Sequence, residues 1–508
     1  MRALKTSDKV LVIGAGAMGS GIAHVAAVAG HTVYLYDMQA EAVARGCAGI
    51  ARDLDFLVSR DKLGREAADA ALARVLPIGN LSDAQDARLA IEAIVERLDV
   101  KQTLFAELEA ILAPEAILAT NTSSLSITAL AAPLARPGNV VGMHFFNPAP
   151  RMKLVEVVSG LATAPAVAQT VHATAGVWGK VPVFAKSTPG FIVNRVARPY
   201  YGEALRVLAE QAATPATLDA VMREGCGFPM GPFELMDLIG HDVNHAVSQS
   251  VYAACFNDSR YTPHLIQQEL VHAGRLGRKS GQGFYAYGEG AALPAPADLP
   301  LAPAARRVRV VGDLGPAAAL IVRLEQAGLT VERTAGTGHG WLEIGAARLM
   351  LSDGRTATRR AVDSGFDHVV LFDLCLDFAK TPRLTLSAAD PCGRGALADV
   401  IGTLQAAGFK VAQLDDVAGL LALRTVAMLA NEAADAVLAG IGSAADIDTA
   451  MRYGTNYPLG PLAWADRLGP AFIAEVLDHL RAHYVDTRYR LSPLLQRKAL
   501  TGATFHAH

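Results

Sequence analysis

The sequence predicts an α/β domain followed by an all-α domain, and then a degenerate second copy of both. Three observations predict this order. The chain opens with an apolar strand, a glycine-rich turn and a helix. A helical stretch that begins at Gly190 recurs without a gap from Gly419, 229 positions later, and such an internal repeat indicates a duplicated architecture. A weaker copy of the opening strand and helix begins at Val308, before the second helical stretch.

Domain boundaries follow from these repeats and from one linker. The stretch GEGAALPAPADLPLAPAARR, which begins at residue 288, is rich in Gly, Ala and Pro and is typical of a connection between domains. The predicted segments are an α/β domain at 1–186, a helical domain at 187–287, a linker at 288–306, a degenerate α/β domain at 307–415 and a second helical domain at 416–508.

Composition excludes several classes of protein. A chain of 508 residues is too long for one core, and 51% of its residues are hydrophobic. The net charge of −3 predicts no nucleic-acid surface. We find no uncharged apolar run long enough for a membrane span and no apolar signal segment. The five cysteines lack metal-site spacing, so we expect a cytoplasmic protein with no metal.

The opening unit has the features of a dinucleotide site. In KVLVIGAGAMGSGIAHVAAVAGHTVYLYD (9–37), a strand precedes the three loop glycines Gly14, Gly16 and Gly19. These would form a tight turn, admit a pyrophosphate and allow close packing of helix on strand, respectively. The helix N-terminus would face the phosphates. A glycine-rich turn without a ligand is the alternative, but it would not require Asp37.

Asp37 ends the second predicted strand, at the position that binds a ribose 2′-hydroxyl in this type of site. The next three residues include no arginine that could receive a 2′-phosphate. The sequence therefore predicts NAD rather than NADP as the cofactor. Further along, Glu96 and Lys101 flank the carboxyl end of a strand predicted at 89–96, where open α/β sheets bind ligands. Solvation of a helix start is the alternative for both.

A histidine and a glutamate are placed to meet across a hairpin. The β-rich runs VVGMHFF and KLVEVV are separated by NPAPRM. If they pair around Pro150, His144 and Glu156 lie directly opposite, with Cβ atoms about 5 Å apart. The carboxylate could then hold one imidazole nitrogen and leave the other as a general base for a hydroxyl proton. A purely structural His–Glu pair is the alternative.

Two further polar residues would complete a reaction site. Ser123 follows an apolar strand in TNTSSL, and Asn194 lies in the otherwise apolar helix start STPGFIVNR. Each alone is unremarkable for a turn or a helix. With His144 and Glu156 they supply a base, its orienting group and two hydrogen-bonding side chains.

These motifs together resemble the NAD-dependent 3-hydroxyacyl-CoA dehydrogenases. The resemblance rests on GAGAMGSGIA, TNTSSLSI, HFFNPAPRMKLVEVV, STPGFIVNRVARPYY, GFPMGPFEL and GRKSGQGFY, in family order over about residues 7–287. It implies oxidation of (S)-3-hydroxyacyl-CoA to 3-oxoacyl-CoA, with His144 as base and Glu156 as its partner. Ser123 and Asn194 would contact the substrate oxygens. The implied cofactor contacts are Asp37, Glu96, Lys101, Asn147 and Lys279.

Within that family, the length and the STPGFIVNRVARPYYGEA stretch resemble the bacterial members that act on 3-hydroxyadipyl-CoA in phenylacetate catabolism. The alternatives are a short-chain 3-hydroxybutyryl-CoA dehydrogenase of fatty-acid β-oxidation and a non-catalytic, crystallin-like member. A β-hydroxyacid dehydrogenase is a further rival, but its base is typically a lysine on a helix. The intact set of Ser123, His144, Glu156 and Asn194 favours an active 3-hydroxyacyl-CoA enzyme.

The second half serves as an internal control. In the register of the repeat, Leu423 replaces Asn194 whereas Arg424 retains Arg195. In the degenerate α/β segment Gly312 keeps the first loop glycine, but Leu314, Ala317 and Ala335 replace Gly16, Gly19 and Asp37. We find no downstream counterpart of HFFNP. The second half is therefore expected to lack both phosphate binding and the His–Glu hairpin.

The remaining expectations concern the acyl-CoA partner and the assembly. Arg60, Lys62 and Arg65 form a short basic stretch, and Lys62 is the predicted contact for a CoA phosphate. A solvated helix face is the alternative. A substrate with a distal carboxylate needs a cation, and Arg195 and Arg198 lie near Asn194 in sequence. Arg195 persists as Arg424 in the second copy, which indicates a structural role. The two helical copies could pair within one chain or across a homodimer.

Overall fold

The computed structural model describes residues 2–506, which form two compact units. Within the described residues, the first unit comprises 2–195 and 439–455, and the second comprises 196–438 and 456–506. No helix within residues 2–506 is both long enough and apolar enough to cross a membrane.

Fifteen strands within residues 2–506 form two sheets. The strands are β1 Lys9–Ile13, β2 Val33–Tyr36, β3 Val75–Pro77, β4 Ala87–Glu92, β5 Ile117–Thr120, β6 Val140–Phe145, β7 Leu154–Ser159, β8 Val181–Lys186, β9 Arg307–Asp313, β10 Thr330–His339, β11 Trp341–Ile344, β12 Ala347–Leu351, β13 Val369–Phe372, β14 Arg383–Ala388 and β15 Lys410–Gln413.

Helices cover both sheets and make up the all-α segments. The helices are α1 Ala17–Val28, α2 Ala40–Ser59, α3 Arg65–Ala73, α4 Leu98–Ile111, α5 Ile127–Ala131, α6 Pro165–Val177, α7 Val193–Val196, α8 Arg198–Ala209, α9 Pro215–Ala220, α10 Pro232–Ile239, α11 His241–Ala254, α12 Leu265–His272, α13 Ala319–Gln326, α14 Ala357–Ser364, α15 Arg394–Ala406, α16 Ala422–Leu438, α17 Ala444–Gly454, α18 Pro461–Leu468, α19 Pro470–Tyr484 and α20 Pro493–Thr501.

The first unit is built on an eight-stranded sheet in the order β3-β2-β1-β4-β5-β6-β7-β8. All neighbouring strands are parallel except β6 and β7. The inner strands are apolar and almost fully buried because helices cover both faces. This arrangement confirms the predicted N-terminal α/β domain and brings the carboxyl ends of β1, β4, β5 and β6 to one edge, where such sheets bind ligands.

The second unit contains a seven-stranded mixed sheet in the order β10-β9-β11-β12-β13-β14-β15. Its first parallel pair joins Val308 to Val331, and the corresponding pair in the first unit joins Val10 to Val33. The weak sequence echo is therefore confirmed as a structural one. Leu314 is buried at the position of Gly16, where the close approach of a pyrophosphate to the backbone requires glycine.

The expectation that the second half lacks the hairpin is wrong. Strands β13 and β14 pair in antiparallel register, and Asp373 N donates to Thr385 O at 2.9 Å. Asp373 and Thr385 lie 229 positions after His144 and Glu156, which is the offset of the helical repeat. The second half thus retains the hairpin and lacks only the His–Glu pair. The search for a second HFFNP motif could not find this hairpin, because its residues had changed.

A carboxylate also caps the start of the helical domain in both copies. In the first copy, Glu156 Oε1 accepts bonds from Ile192 N and Val193 N, each at 3.0 Å. In the second copy, Asp373 accepts three bonds from the backbone N–H groups of the corresponding turn, at 2.7–3.0 Å. Burial raises the pKa of Asp373 to about 6, although these bonds favour the charged form. In the first copy the capping carboxylate, Glu156, lies on β7. In the second copy the capping carboxylate, Asp373, takes the position that corresponds to His144.

The helical copies pair within one chain, which answers a question that the sequence left open. In the second unit, Glu203 accepts bonds from Arg424 at 2.6 Å and from Tyr489 at 2.8 Å. Glu432, which is the counterpart of Glu203, accepts bonds from Arg260 at 3.1 Å and from Tyr261 at 2.5 Å. Each copy therefore supplies the donors for the buried glutamate of the other.

The copies also exchange contacts with the two sheets. In the first unit, Lys186 N donates to Ile441 O at 2.9 Å, and α17 of the second copy packs on β7 and β8. In the second unit, Asp415 N donates to Ala212 O at 3.0 Å. Asp415 lies 229 positions after Lys186, and Ala212 lies 229 positions before Ile441, so the two bonds are equivalent contacts with the copies exchanged. Each helical copy thus covers the sheet of the other copy.

Candidate active site

His144 and Glu156 meet as the sequence predicted. They face each other in the β6–β7 register, and the distance from His144 Nδ1 to Glu156 Oε2 is 2.7 Å. Both side chains are buried. The rings of Phe146 and Phe191 flank the imidazole, with centroids 4.5 and 5.8 Å away.

Glu156 performs two tasks with its two oxygens. Oε2 contacts the imidazole, while Oε1 binds the first N–H groups of the helix start. The sharp turn before that helix depends on left-handed backbone at Gly190 (φ 74°) and Phe191 (φ 48°). Because an ionised carboxylate only accepts hydrogen bonds, we assign the proton to Nδ1, which leaves Nε2 with a free lone pair.

Ser123 lies beside this pair at the same sheet edge. Strands β5 and β6 are parallel neighbours, so the turn after β5 lies next to the carboxyl end of β6. Asn121 Oδ1 accepts a bond from Phe145 N at 2.8 Å, which ties that turn to the residue after His144. The Ser123 hydroxyl is partly exposed and makes no hydrogen bond to any of residues 2–506.

Asn194 is held by its neighbour rather than by its own side chain. It follows Val193, whose N–H binds Glu156. Its amide is partly exposed and has no hydrogen-bond partner in the described part of the chain. Both predicted substrate-contacting side chains are therefore positioned through their backbones and remain available for a ligand.

A buried ion-pair network supports the Ser123 turn. Lys101 Nζ lies 2.5 Å from Glu92 Oε1 and 3.2 Å from Glu96 Oε2. Glu96 in turn accepts bonds from Thr122 Oγ1 and Ser123 N, at 2.5 and 3.1 Å. Burial acts to raise the pKa of Glu96, but the Thr122 bond and the Lys101 charge outweigh it, so that pKa lies below its usual range.

Sequence reasoning missed Glu92, although an acid in the apolar run LAIEAI was a signal. Its side chain is fully buried at the end of β4, and Thr120 Oγ1 donates to it at 2.7 Å. Lys101 is only 1% exposed because these carboxylates enclose it. The ion-pair partners of Lys101 are Glu92 and Glu96.

The glycine loop has the shape that a dinucleotide requires. Gly14 has φ 99°, and a Cβ there would lie 2.5 Å from Ala93 O. A Cβ at Gly19 would lie 1.7 Å from Gly14 O, whereas a Cβ at Gly16 would meet no atom within 4 Å. Helix α1 begins without a side-chain cap, so its first N–H groups are free for phosphate oxygens.

The other predicted cofactor residues of the first unit lie around this loop. Asp37 follows β2, and its oxygens accept bonds from Ala15 N at 2.8 Å and Gln39 N at 3.0 Å. Gly16 and Asn147 line a groove of about 440 Å³ between α1, α2 and the turn after His144. The loop, Asp37 and Asn147 therefore fit a bound NAD.

Replacing Gly16 with Ala is expected to raise the KM for NAD⁺ about tenfold or more while leaving thermal stability unchanged. The free protein has room for this methyl group, but the pyrophosphate approaches the same backbone. Steady-state kinetics and a thermal melt measure the two effects. Gly79→Ala, also at an open position, is the matched control. An unchanged KM would show that this backbone is not the phosphate site.

Two further predicted ligand contacts are lysines. Lys62 is exposed in the turn between α2 and α3, while its neighbour Arg65 pairs with Asp55 at 2.7 Å. Lys279 belongs to the second unit, where it lies 2.5 Å from Asp242. Both stay predictions, Lys62 as a contact for a CoA phosphate and Lys279 as a cofactor contact.

Comparison with known proteins decides the family. Residues 9–188 match the NAD-binding domain of 3-hydroxyacyl-CoA dehydrogenase, and residues 190–287 and 419–505 both match its C-terminal domain. The chain belongs to the 3-hydroxyacyl-CoA dehydrogenase family. NAD is the cofactor of this dehydrogenase. Residues 349–417 of this chain match the reduced Rossmann-fold domain of 3-hydroxybutyryl-CoA dehydrogenase. This match agrees with a degenerate second α/β domain.

The relatives that match nearly the whole chain are named for two different substrates. This dehydrogenase is 46% identical to a 3-hydroxyadipyl-CoA dehydrogenase of Escherichia coli K12, over 98% of each chain. It matches the crystal structure of a 3-hydroxybutyryl-CoA dehydrogenase from E. coli K12 with a TM-score of 0.90 and 45% identity, over 98% of this chain and 99% of that chain. An (S)-3-hydroxybutyryl-CoA dehydrogenase from Ralstonia eutropha has a TM-score of 0.54 and 41% identity, over 56% of this chain and 99% of its own.

Proposed function

We propose that this dehydrogenase oxidises the 3-hydroxyl of an (S)-3-hydroxyacyl-CoA with His144 as general base. The observation that carries this assignment is the 2.7 Å contact between His144 Nδ1 and Glu156 Oε2. With its proton on Nδ1, His144 accepts the hydroxyl proton at Nε2. Glu156 then stabilises the imidazolium that forms. NAD⁺, when bound, accepts the hydride that leaves C3.

The remaining side chains orient the two ligands. Ser123 and Asn194 donate hydrogen bonds to the hydroxyl and thioester oxygens of the substrate. Asp37 receives the ribose hydroxyl, and the α1 N-terminus receives the pyrophosphate. Asn147, Glu96, Lys101 and Lys279 are further proposed cofactor contacts, and Lys62 is proposed to bind a CoA phosphate.

For the acyl group we propose 3-hydroxyadipyl-CoA. The support is the near full-length relative of that name together with the motif stretch around Asn194. The second candidate is 3-hydroxybutyryl-CoA, which the names of other relatives favour. We place the enzyme in the cytoplasm, in phenylacetate or fatty-acid catabolism. The two helical copies already pair within one chain, so a homodimer would form through other surfaces.

The test is NADH formation from NAD⁺ with matched esters. 3-Hydroxyadipyl-CoA, 3-hydroxyhexanoyl-CoA and 3-hydroxybutyryl-CoA are compared by kcat/KM. The first two have acyl chains of equal length and differ in the terminal carboxylate. We expect the highest value for the adipyl ester. A higher kcat/KM for the hexanoyl or the butyryl ester would contradict the adipyl assignment. No turnover on any of the three esters would contradict the proposed reaction.

A further inference from the structure

We propose that the second unit binds a chloride ion in a small cavity beside Arg198. This inference goes beyond the proposed function, because the anion is neither substrate nor cofactor. The cavity has a volume of about 20 Å³ and lies between α8, α11, α12 and residues 260–264. Arg198 is the first residue of α8, and only 7% of it is exposed. Every described residue that lines the cavity belongs to the second unit.

The first observation is a comparison of the buried arginines. Five arginines in the described part of the chain are no more than 9% exposed, and four of them have a carboxylate partner. The four pairs are Arg260 with Glu432, Arg360 with Asp353, Arg383 with Glu224, and Arg424 with Glu203. Arg198 has no carboxylate within ion-pair distance among residues 2–506. Because buried charges in proteins are normally paired, this exception indicates that an anion from solution supplies the missing charge.

The second observation is that two arginines lining the cavity each have a buried N–H group without an acceptor. The Nε atoms of Arg198 and Arg260 have no hydrogen-bond partner within residues 2–506. The other contacts of these two side chains are made elsewhere: Arg198 Nη1 donates to Ser248 Oγ at 3.1 Å, and Arg260 Nη1 lies 3.1 Å from Glu432 Oε2. Unpaired buried donors are costly, and a single anion in the cavity provides an acceptor for both.

Three other polar side chains around the cavity already have partners. Gln267 Nε2 donates to Asn244 Oδ1, and Ser248 Oγ donates to Asn244 O, both at 3.0 Å. Tyr261 OH donates to Glu432 Oε1 at 2.5 Å. Of the described residues that line the cavity, none is an aspartate or a glutamate. The donors that remain are therefore those of the arginines, and no lining carboxylate repels an anion.

The size and the charge of the cavity favour a monatomic anion. A volume of about 20 Å³ holds about one water-sized particle, which leaves no room for phosphate or sulfate. A water molecule would accept a hydrogen bond but would leave the charge of Arg198 uncompensated. Burial lowers the pKa of Arg198, and a bound anion favours its charged form. Chloride meets both requirements, because it carries one negative charge and only accepts hydrogen bonds.

The second helical copy shows that the helical fold does not require this cation. At the offset of 229, Arg198 corresponds to Ala427, Tyr201 to Ala430 and Ser248 to Leu477. These three apolar residues are fully buried, so the second copy packs the same positions without a charge. The arginine of the first copy therefore has a role other than the packing of its helices, in agreement with an anion site.

Bromide locates the ion directly, because it replaces chloride in such sites and scatters X-rays anomalously. Crystals of the full-length enzyme soaked in sodium bromide should show an anomalous peak in the cavity, beside the Nε atoms of Arg198 and Arg260. Crystals of Arg198→Met treated in the same way should show no peak there. A wild-type crystal without this peak would contradict the proposal and indicate that water occupies the cavity.

Thermal melts measure binding in solution. The full-length enzyme is melted at constant ionic strength while potassium chloride replaces potassium gluconate. Because a ligand that binds only the folded state stabilises it by mass action, we expect Tm to rise to a plateau by about 1–3 °C. Arg198→Met should show no such rise. Its Tm in gluconate should equal or exceed that of the wild type, because removal of an unpaired buried charge does not destabilise the fold.

Arg481→Met is the matched control, because Arg481 also belongs to the second unit but is exposed and pairs with Asp478. It should retain the full rise in Tm, which separates the cavity from general effects of salt on the protein surface. An equal effect of chloride on the wild type and on Arg198→Met would contradict the proposal. If Arg198→Met does not fold, the bromide experiment on the wild type alone decides between an anion and water.

Discussion

Replacing His144 with Gln is expected to lower kcat about 10²- to 10⁴-fold, the contribution typical of a positioned general base, while NADH binding stays near its wild-type strength. Glutamine can still donate a hydrogen bond to Glu156, so the hairpin and the helix cap that Glu156 provides are retained. It cannot accept the hydroxyl proton at neutral pH. The loss therefore falls on the chemical step rather than on folding or on the dinucleotide loop.

Pre-steady-state hydride transfer and NADH fluorescence titration measure these two quantities separately. His172→Gln is the matched control, because His172 lies in the same unit and stacks on Phe184 at 4.2 Å, away from the His144 cluster. We expect its turnover to stay within about twofold of the wild type. A His144→Gln enzyme with wild-type kcat would show that the pair with Glu156 is only structural.

Replacing Arg424 with Met is expected to lower the free energy of unfolding by about 3–5 kcal/mol, as for other buried ion pairs that lose one partner. Arg424 is fully buried, and its Nε lies 2.6 Å from Glu203 Oε2. Burial acts to raise the pKa of Glu203, but the Arg424 and Arg206 charges outweigh it, so the glutamate is ionised. The variant would leave that carboxylate inside the second unit with Tyr489 as a donor at 2.8 Å and Arg206 at the longer distance of 3.4 Å.

Urea unfolding of the full-length chain measures this effect. Arg97→Met is the control: Arg97 also pairs with an acid, Asp99, but both side chains are 66% exposed, so the expected loss is only about 0–1 kcal/mol. The double variant Glu203→Gln/Arg424→Met should recover part of the stability, because it leaves no buried ionised group. Equal losses for Arg424→Met and Arg97→Met would show that the pairing of the helical copies does not depend on this contact.

Local patterns in the sequence were sufficient for much of the site. Gly14, Gly16 and Gly19 occur at spacings that specify a strand–turn–helix, and their three different surroundings in the structure match the three predicted roles. The contact between His144 and Glu156 was also predictable, because a hairpin register follows from the turn and from the alternation of side chains along its strands. The helical repeat was visible because its positions align without a gap.

The sequence by itself determined the family, the NAD-binding loop, the His144–Glu156 pair and the duplication, since each depends on residues close together in the chain. Only the tertiary structure decided which buried charges are paired and by what. It enclosed Lys101 between Glu92 and Glu96, assigned Asp373 to the helix start in the second copy, and joined Glu203 to Arg424 within one chain. The reason is physical: a buried charge is stabilised by whatever partner three-dimensional packing brings within about 4 Å, and that partner can lie 200 residues away, where no local pattern records it.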